Sequence, residues 1–282
     1  MPRLYDPPMV PKLAMDQSGR GSPLVLIHGI ATDRRIWELV ARDLSRSHRV
    51  VAIDVPGFGG SAPVDDDFDL RRVADRVARG LAAQGVGAPF DLVGHSLGGG
   101  IAAVLADARP RLVRRLVLVA PAGLRPFPPA ISALLAAGAD AVLAARRGAV
   151  NLTDTWWGRR LLFSMTAADA ADLPPTLARQ MIEASATAQR TAPALATITS
   201  TDLRPLLART RMPLGVIWGD ADRTVPIRAL DDLIAARPDA VVERLAGTGH
   251  VPMIECPERF VEALTRLIQD VTTCDAVART LD

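Results

Sequence analysis

The chemistry-bearing centre of the sequence is Gly94-His95-Ser96-Leu97-Gly98. It lies between the apolar run Phe90-Asp91-Leu92-Val93 and a nearly all-apolar stretch from Leu97 to Ala108. A serine on a tight strand-to-helix turn projects its hydroxyl above the sheet edge, beside helix amides that favour developing negative charge. Side chains two residues to either side would crowd such a turn, and Gly94 and Gly98 remove them. The chemistry this suits is nucleophilic attack on a carbonyl, with positive φ expected at Ser96.

A serine nucleophile needs a base. Of the four histidines, His250 is the candidate, in the loop Ala246-Gly247-Thr248-Gly249-His250-Val251-Pro252 after the last strand-like run. His95 adjoins Ser96 and is expected to point away from it. His48 sits in a polar stretch, and His28 is expected to stabilise its own loop. The base needs an orienting carboxylate, and Asp222 follows the run ending at Trp218. Asp220 is its rival but could instead bond the turn backbone. The loop after Val113–Val119 reads Ala120-Pro121-Ala122, without a carboxylate, which favours Asp222. Two backbone amides are candidates for an oxyanion hole, Leu97 after the nucleophile and Ile30 in His28-Gly29-Ile30.

Residue scarcity excludes other chemistry. The 33 basic and 31 acidic residues leave a net charge of +2, too little for a nucleic-acid partner. Lys12 is the only lysine and stands in an unremarkable segment, which disfavours Schiff-base chemistry. No Gly-Lys pair exists, so the G-x-x-x-x-G-K phosphate loop is absent. No Cys-x-x-Cys or His-Glu-x-x-His pair supports a metal, and no cofactor motif is present. Cys256 and Cys274 are expected to be free thiols.

These residues need a scaffold that brings strand ends together. Leu24-Val25-Leu26-Ile27, Arg49 to Asp54, Phe90 to Val93 and Val113 to Val119 are largely apolar runs of the kind seen in strands covered on both faces, and the strand pattern resumes at Leu214 to Trp218 and at Ala240 to Leu245. Leu70, Val73, Ala74, Val77 and Leu81 recur at helical spacing. The alternation of strand and helix predicts an α/β fold with a mostly parallel central sheet flanked by helices. The rhythm breaks from 124 to 209, where alanine-rich helical spacing and repeated prolines predict a helical insertion. Residues 1–123 and 210–282 are then the core, closed by a helix from Pro257 to Val271, with a patternless tail from Thr272. No signal segment and no uninterrupted apolar run of membrane-spanning length is seen, the nearest being Ile131 to Ala145, broken by Asp140. A cytoplasmic protein acting on a small molecule, away from membranes, is the expectation; a homo-oligomer stays open.

Together these motifs resemble the α/β-hydrolase superfamily over about residues 22–270. His28-Gly29, the Asp54 to Ser61 turn, the serine elbow, the Asp222 loop and Gly249-His250 come in that family's order of serine, acid, histidine. The resemblance implies a serine hydrolase with the triad Ser96, Asp222 and His250, cleaving a carboxylic ester of a small, largely apolar substrate through an acyl-enzyme. It implies no cofactor. It makes the 124–209 insertion the family's cap or lid, and the apolar cluster Trp156, Trp157, Leu161, Leu162, Phe163 and Met165, with Trp37, a candidate substrate pocket. Serine at the nucleophile position argues against epoxide hydrolases and haloalkane dehalogenases, which carry aspartate there. Carbon–carbon bond hydrolases of ring-cleavage products and cofactor-free perhydrolases share the triad, as alternatives to an esterase. A ligand-binding member of the fold is the non-enzymatic alternative. Arg159 and Arg160 are expected to be surface charges, and Cys256 a packing residue.

Overall fold

The computed structural model describes residues 13–64, 67–186 and 188–278. Lys12 and the last residues of the tail lie outside these, as does the side chain of Cys274. Each strand-like run noted above forms a strand: β2 (Pro23–Ile27), β3 (Arg49–Ile53), β4 (Phe90–His95), β5 (Val113–Val119), β6 (Leu214–Gly219) and β7 (Val241–Leu245). A further strand, β1 (Met15–Ser18), pairs antiparallel with β3 at the sheet edge. The order is β1-β3-β2-β4-β5-β6-β7, and every pairing from β3 to β7 is parallel. Six strands therefore present their C-terminal ends on one edge, where open parallel sheets bind ligands.

Side chains alternate between two cores, as a period of two requires. Val25, Ile27, Leu92, Leu116, Val216 and Trp218 face one way. Leu24, Leu26, Val93, Val117, Val119 and Ile217 face the other. Helix α1 (Glu38–Leu44) covers the second face, and α2 (Leu70–Ala83) and α3 (Leu97–Ala108) cover the first. Asp69 caps α2 by accepting from the Arg72 amide, and the buried stripe of α2 is the one its spacing predicts.

Between β5 and β6 the chain is helical: α4 (Pro129–Gly148), α5 (Trp156–Phe163), α6 (Pro175–Ala186), α7 (Thr191–Ser200) and α8 (Arg204–Leu207). Helix α4 packs on α6 and α7. At 20 residues it is long and apolar enough, by length and composition, to cross a membrane. After β6 come α9 (Ala229–Ala236), α10 (Pro252–Glu255) and α11 (Pro257–Ala278). Helix α11 runs past the Val271 end expected from sequence and takes in Thr272 to Ala278. Its buried Phe260, Leu264, Leu267 and Ile268 dock on the second sheet face.

Candidate active site

Ser96 joins β4 to α3 with φ +52° and ψ −117°, the left-handed strain expected of such a turn. Its amide donates to the Val119 carbonyl, and its carbonyl accepts from Gly99, Gly100 and Ala122. The serine backbone is thus held by the loop after β5 as well as by α3. The two glycines are sterically required. A Cβ on Gly94 would collide with the Gly98 carbonyl, and one on Gly98 with the Ile27 and His28 carbonyls.

Asp222 and His250 meet. The His250 Nδ1–H donates to Asp222 Oδ2 at 2.7 Å, and both side chains are buried. This bond fixes the tautomer, leaving Nε2 as the basic nitrogen. Asp222 Oδ1 accepts from the Thr224 and Val225 amides at 2.8 and 2.9 Å, so its geometry is set by its own loop. Asp220 is exposed and accepts from the Gly247 amide, the turn-bonding role open to it from sequence. Ser96 and His250 line the same cavity. The Ser96 hydroxyl and His250 Nε2 have no hydrogen-bond partner among the described residues. The serine–histidine bond is therefore not made here, and such bonds often tighten only around substrate.

His95 packs its ring on His250, centroids 4.7 Å apart, and its Nε2–H donates to the His250 carbonyl at 2.8 Å. Burial, reinforced by nearby His250, holds its pKa well below the ordinary histidine value, so it is neutral. His28 does stabilise its loop. Nδ1–H donates to the Gly29 carbonyl at 2.7 Å, and Nε2 accepts from the Val55 amide at 2.9 Å. His48 is half-exposed beside Ser47, before β3. Cys256 is a free thiol against Thr248, and burial pushes its pKa up, away from nucleophilic use.

Glu255, which no sequence motif marks, anchors the histidine loop. Its Oε2 accepts from the Gly249 and Ala168 amides at 2.9 and 2.8 Å, and Oε1 from Val251 at 3.1 Å. The His250 amide donates to Thr166 at 2.8 Å. Thr224 Oγ1 and Arg223 donate to the Met165 and Ser164 carbonyls. The segment 164–168 of the helical insertion therefore braces both the acid loop and the histidine loop.

Two cavities meet at Ser96, sharing Ile30, Leu135, Leu195 and Thr224 with it. One, of about 800 Å³, runs between Leu97, Leu124, Ile198 and Val225. The other, of about 590 Å³, runs between His250, α4, Met165 and Met181. The Ile30 and Leu97 amides make no hydrogen bond among the described residues, which leaves both free for an oxyanion.

Of the expected pocket residues only Met165 lines these cavities. Trp37 is wholly buried in the second core, edge-on to His95 and tilted against Phe260. Phe163 is wholly buried beneath Arg146. Trp156 and Trp157 are 62% and 48% exposed on α5 and line neither cavity. Leu161 is exposed and Leu162 packs on the second core. Arg160 is exposed as expected, whereas Arg159 is half-buried and donates to the Thr153 and Ala171 carbonyls. The apolar lining comes instead from α4 and α7. Its signal in the sequence was the i, i+3, i+4 stripe Leu135, Gly138, Ala139, Val142 and Leu143.

Comparison with known proteins supplies the context. A family model described as "Alpha/beta hydrolase family" matches residues 24–263. A pimeloyl-[acyl-carrier protein] methyl ester esterase of Chromobacterium violaceum is 31% identical over 261 residues, 91% of this chain and 98% of that protein. A 2-hydroxymuconate semialdehyde hydrolase of Pseudomonas sp. (strain CF600) is 42% identical over 114 residues, 39% of this chain and 40% of that one. Among solved structures, a bromoperoxidase from Bacillus anthracis superposes with a TM-score of 0.77 at 22% identity, covering 91% of this chain and 95% of the other.

Proposed function

This chain belongs to the alpha/beta hydrolase family and is a hydrolase, and on that premise we propose that it is a serine esterase working through Ser96, His250 and Asp222. The observation that carries the reading is the buried Asp222–His250 hydrogen bond at 2.7 Å, whose histidine lines the cavity that also holds a serine at φ +52°.

In the proposed reaction Ser96 Oγ attacks the ester carbonyl carbon as its proton passes to His250 Nε2. The carbonyl oxygen becomes an oxyanion that accepts from the Ile30 and Leu97 amides. Asp222 stabilises the imidazolium, which then protonates the leaving alcohol as the carbon–oxygen bond breaks. Water attacks the acyl-enzyme, its proton goes to His250, and the acid departs as that proton returns to Ser96. The leaving alcohol must lie within reach of His250 Nε2. It therefore occupies the cavity that His250 lines, and the acyl group occupies the larger one beside Leu97, Leu124 and Val225. Both linings are largely apolar, which suits an apolar substrate. The helices from 124 to 209 act as the cap in this reading.

The esterase-named relative supports ester cleavage. The partial likeness to a 2-hydroxymuconate semialdehyde hydrolase favours carbon–carbon bond hydrolysis as the second reading. Purified protein assayed with a p-nitrophenyl ester series and a ring-cleavage dienoate separates the two. We expect ester turnover, covalent labelling by a fluorophosphonate, and loss of both in Ser96→Ala. Folded Ser96→Ala with unchanged turnover would overturn the proposal, and strong dienoate turnover with negligible ester cleavage would reverse the ranking.

A further inference from the structure

Helix α4 carries an arginine at the end of its cavity-facing stripe. Leu135, Gly138, Ala139, Val142, Leu143 and Arg146 all line the cavity that holds Ser96 and His250. The spacing from Leu135 to Arg146 is eleven residues, about 16 Å of helix at 1.5 Å per residue. Leu135 borders both cavities where they meet at the serine, so Arg146 stands toward the far end of the leaving-group lobe.

Arg146 lacks the carboxylate partner that several other arginines have. Arg34, Arg35, Arg114, Arg125, Arg209 and Arg237 each pair with an aspartate. The Arg146 side chain pairs with no carboxylate and makes no hydrogen bond among the described residues. Its Nε is buried without a partner. Its guanidinium carbon lies 5.0 Å from the centroid of the Phe163 ring. That contact holds the plane by a cation–π attraction but satisfies none of the five N–H donors. No aspartate or glutamate lines the lobe, so Arg146 is the only fixed charge there among the lining residues. Burial alone pushes its pKa down, the expected mark of a cation with no protein anion to offset its desolvation.

We propose that Arg146 is the specificity residue for an anion on the substrate, a carboxylate or phosphate borne on the alcohol arm of the ester. This rests on the serine-esterase reading above, which places the alcohol arm in the His250 lobe. A planar guanidinium held over a ring presents a fork that matches two oxygens of one anion. The reaction is unchanged: the carbonyl carbon–alcohol bond breaks, and the product alcohol leaves carrying its anion.

The test compares matched esters on the purified full-length enzyme: one with a carboxylate at the end of the alcohol arm, one with a carboxylate at the end of the acyl arm, and one neutral. Alcohol arms of increasing length find the reach of Arg146. At the best length we expect the alcohol-arm anion to raise kcat/KM over the neutral ester by about tenfold or more, chiefly through KM. Arg146→Gln should erase that ratio, and Arg146→Lys should keep part of it as a point charge. The wild-type comparison needs no variant, so a variant that fails to fold leaves the proposal testable. A wild-type ratio near one at every length, or a preference confined to the acyl-arm anion, overturns it. Absence of turnover for all three esters would instead count against the esterase reading itself.

Discussion

Glu255 gives the sharpest test of how the base is held. Its carboxylate accepts three backbone N–H groups, two of them on the residues flanking His250 and the third on Ala168 of the helical insertion. Each is charge-assisted and contributes on the order of 1.5–3 kcal/mol. Three such bonds nominally total about 5–9 kcal/mol, but Glu255 is half-buried and water can reach part of the site. We therefore expect Glu255→Ala to lose about 2–4 kcal/mol of stability. Glu255→Gln should lose about 1–3 kcal/mol, because the glutamine NH₂ faces an N–H that it cannot accept.

The effect on rate should exceed the effect on folding. Freed of both flanking amides, His250 keeps its bond to Asp222 but loses the backbone frame that would present Nε2 to Ser96 in the proposed mechanism. A displacement near 1 Å costs about a hundredfold in rate, so kcat should fall by about ten- to a hundredfold with KM little changed. Urea unfolding followed by circular dichroism measures the first effect, and saturating ester turnover well below the unfolding midpoint measures the second. A stability loss with wild-type kcat would make Glu255 a structural residue only. No change in either would refute the reasoning outright.

Two further predictions concern the same sheet edge. Gly98→Ala should cost several kcal/mol, on the order of 3 or more, because its Cβ would strike two carbonyls at the end of β2; a thermal midpoint within a degree or two of wild type would contradict this. Stability should also fall in mild acid. His28 and His95 are buried, and desolvation first of all holds their pKa values below the ordinary histidine value of about 6.5. Below about pH 6.5 the unfolded chain binds protons that the folded chain refuses, so stability rises with pH by up to ~1.4 kcal/mol per unit for each residue and is unaffected by them above that pH. Urea midpoints taken between pH 8 and about pH 5 check the slope, which His95→Gln should reduce; a flat profile below about pH 6.5 would contradict it.

The parallel sheet from β2 to β6 was legible because burial on both faces writes itself as largely apolar runs, whereas the edge strand β7, with a mostly exposed-to-intermediate pattern, was marked by Val241 and Val242 alone. Strand β1 was not: Met15-Asp16-Gln17-Ser18 lies at the edge with an intermediate-to-exposed pattern and carries no such run. The candidate triad residues were legible because each follows a strand whose C-terminal end must share one sheet edge with the others. The side to which His95 turns was legible too. Leu92 faces the first core and Val93 the second, so period two sends His95 to the side of Val93 and Trp37, where it is found. The pocket was misjudged because large aromatic residues do not reveal which surface they serve. Trp37 and Phe163 fill the second core, while the lining stripe of α4 is built partly of Gly138 and Ala139. That stripe is masked by Ile131, an apolar residue of α4 that is exposed and lines neither cavity.

The supports of the candidate triad were illegible for a different reason. Segment 164–168 braces the acid and histidine loops through the carbonyls of Ser164, Met165 and Thr166 and the amide of Ala168. Backbone groups are the same whatever side chain they carry, so nothing in the residue types announces them. The specificity of these contacts sits on the opposite side, in Arg223, Thr224 and Glu255, whose side chains must have the right reach and charge. Substitutions of Ser164, Met165 or Thr166 that keep the local backbone should thus leave the histidine in place, while changes at Glu255 should not. In the proposed mechanism the helical insertion then has two separable roles: helix α4 would shape what enters the site, and the 164–168 segment would help hold the proposed base.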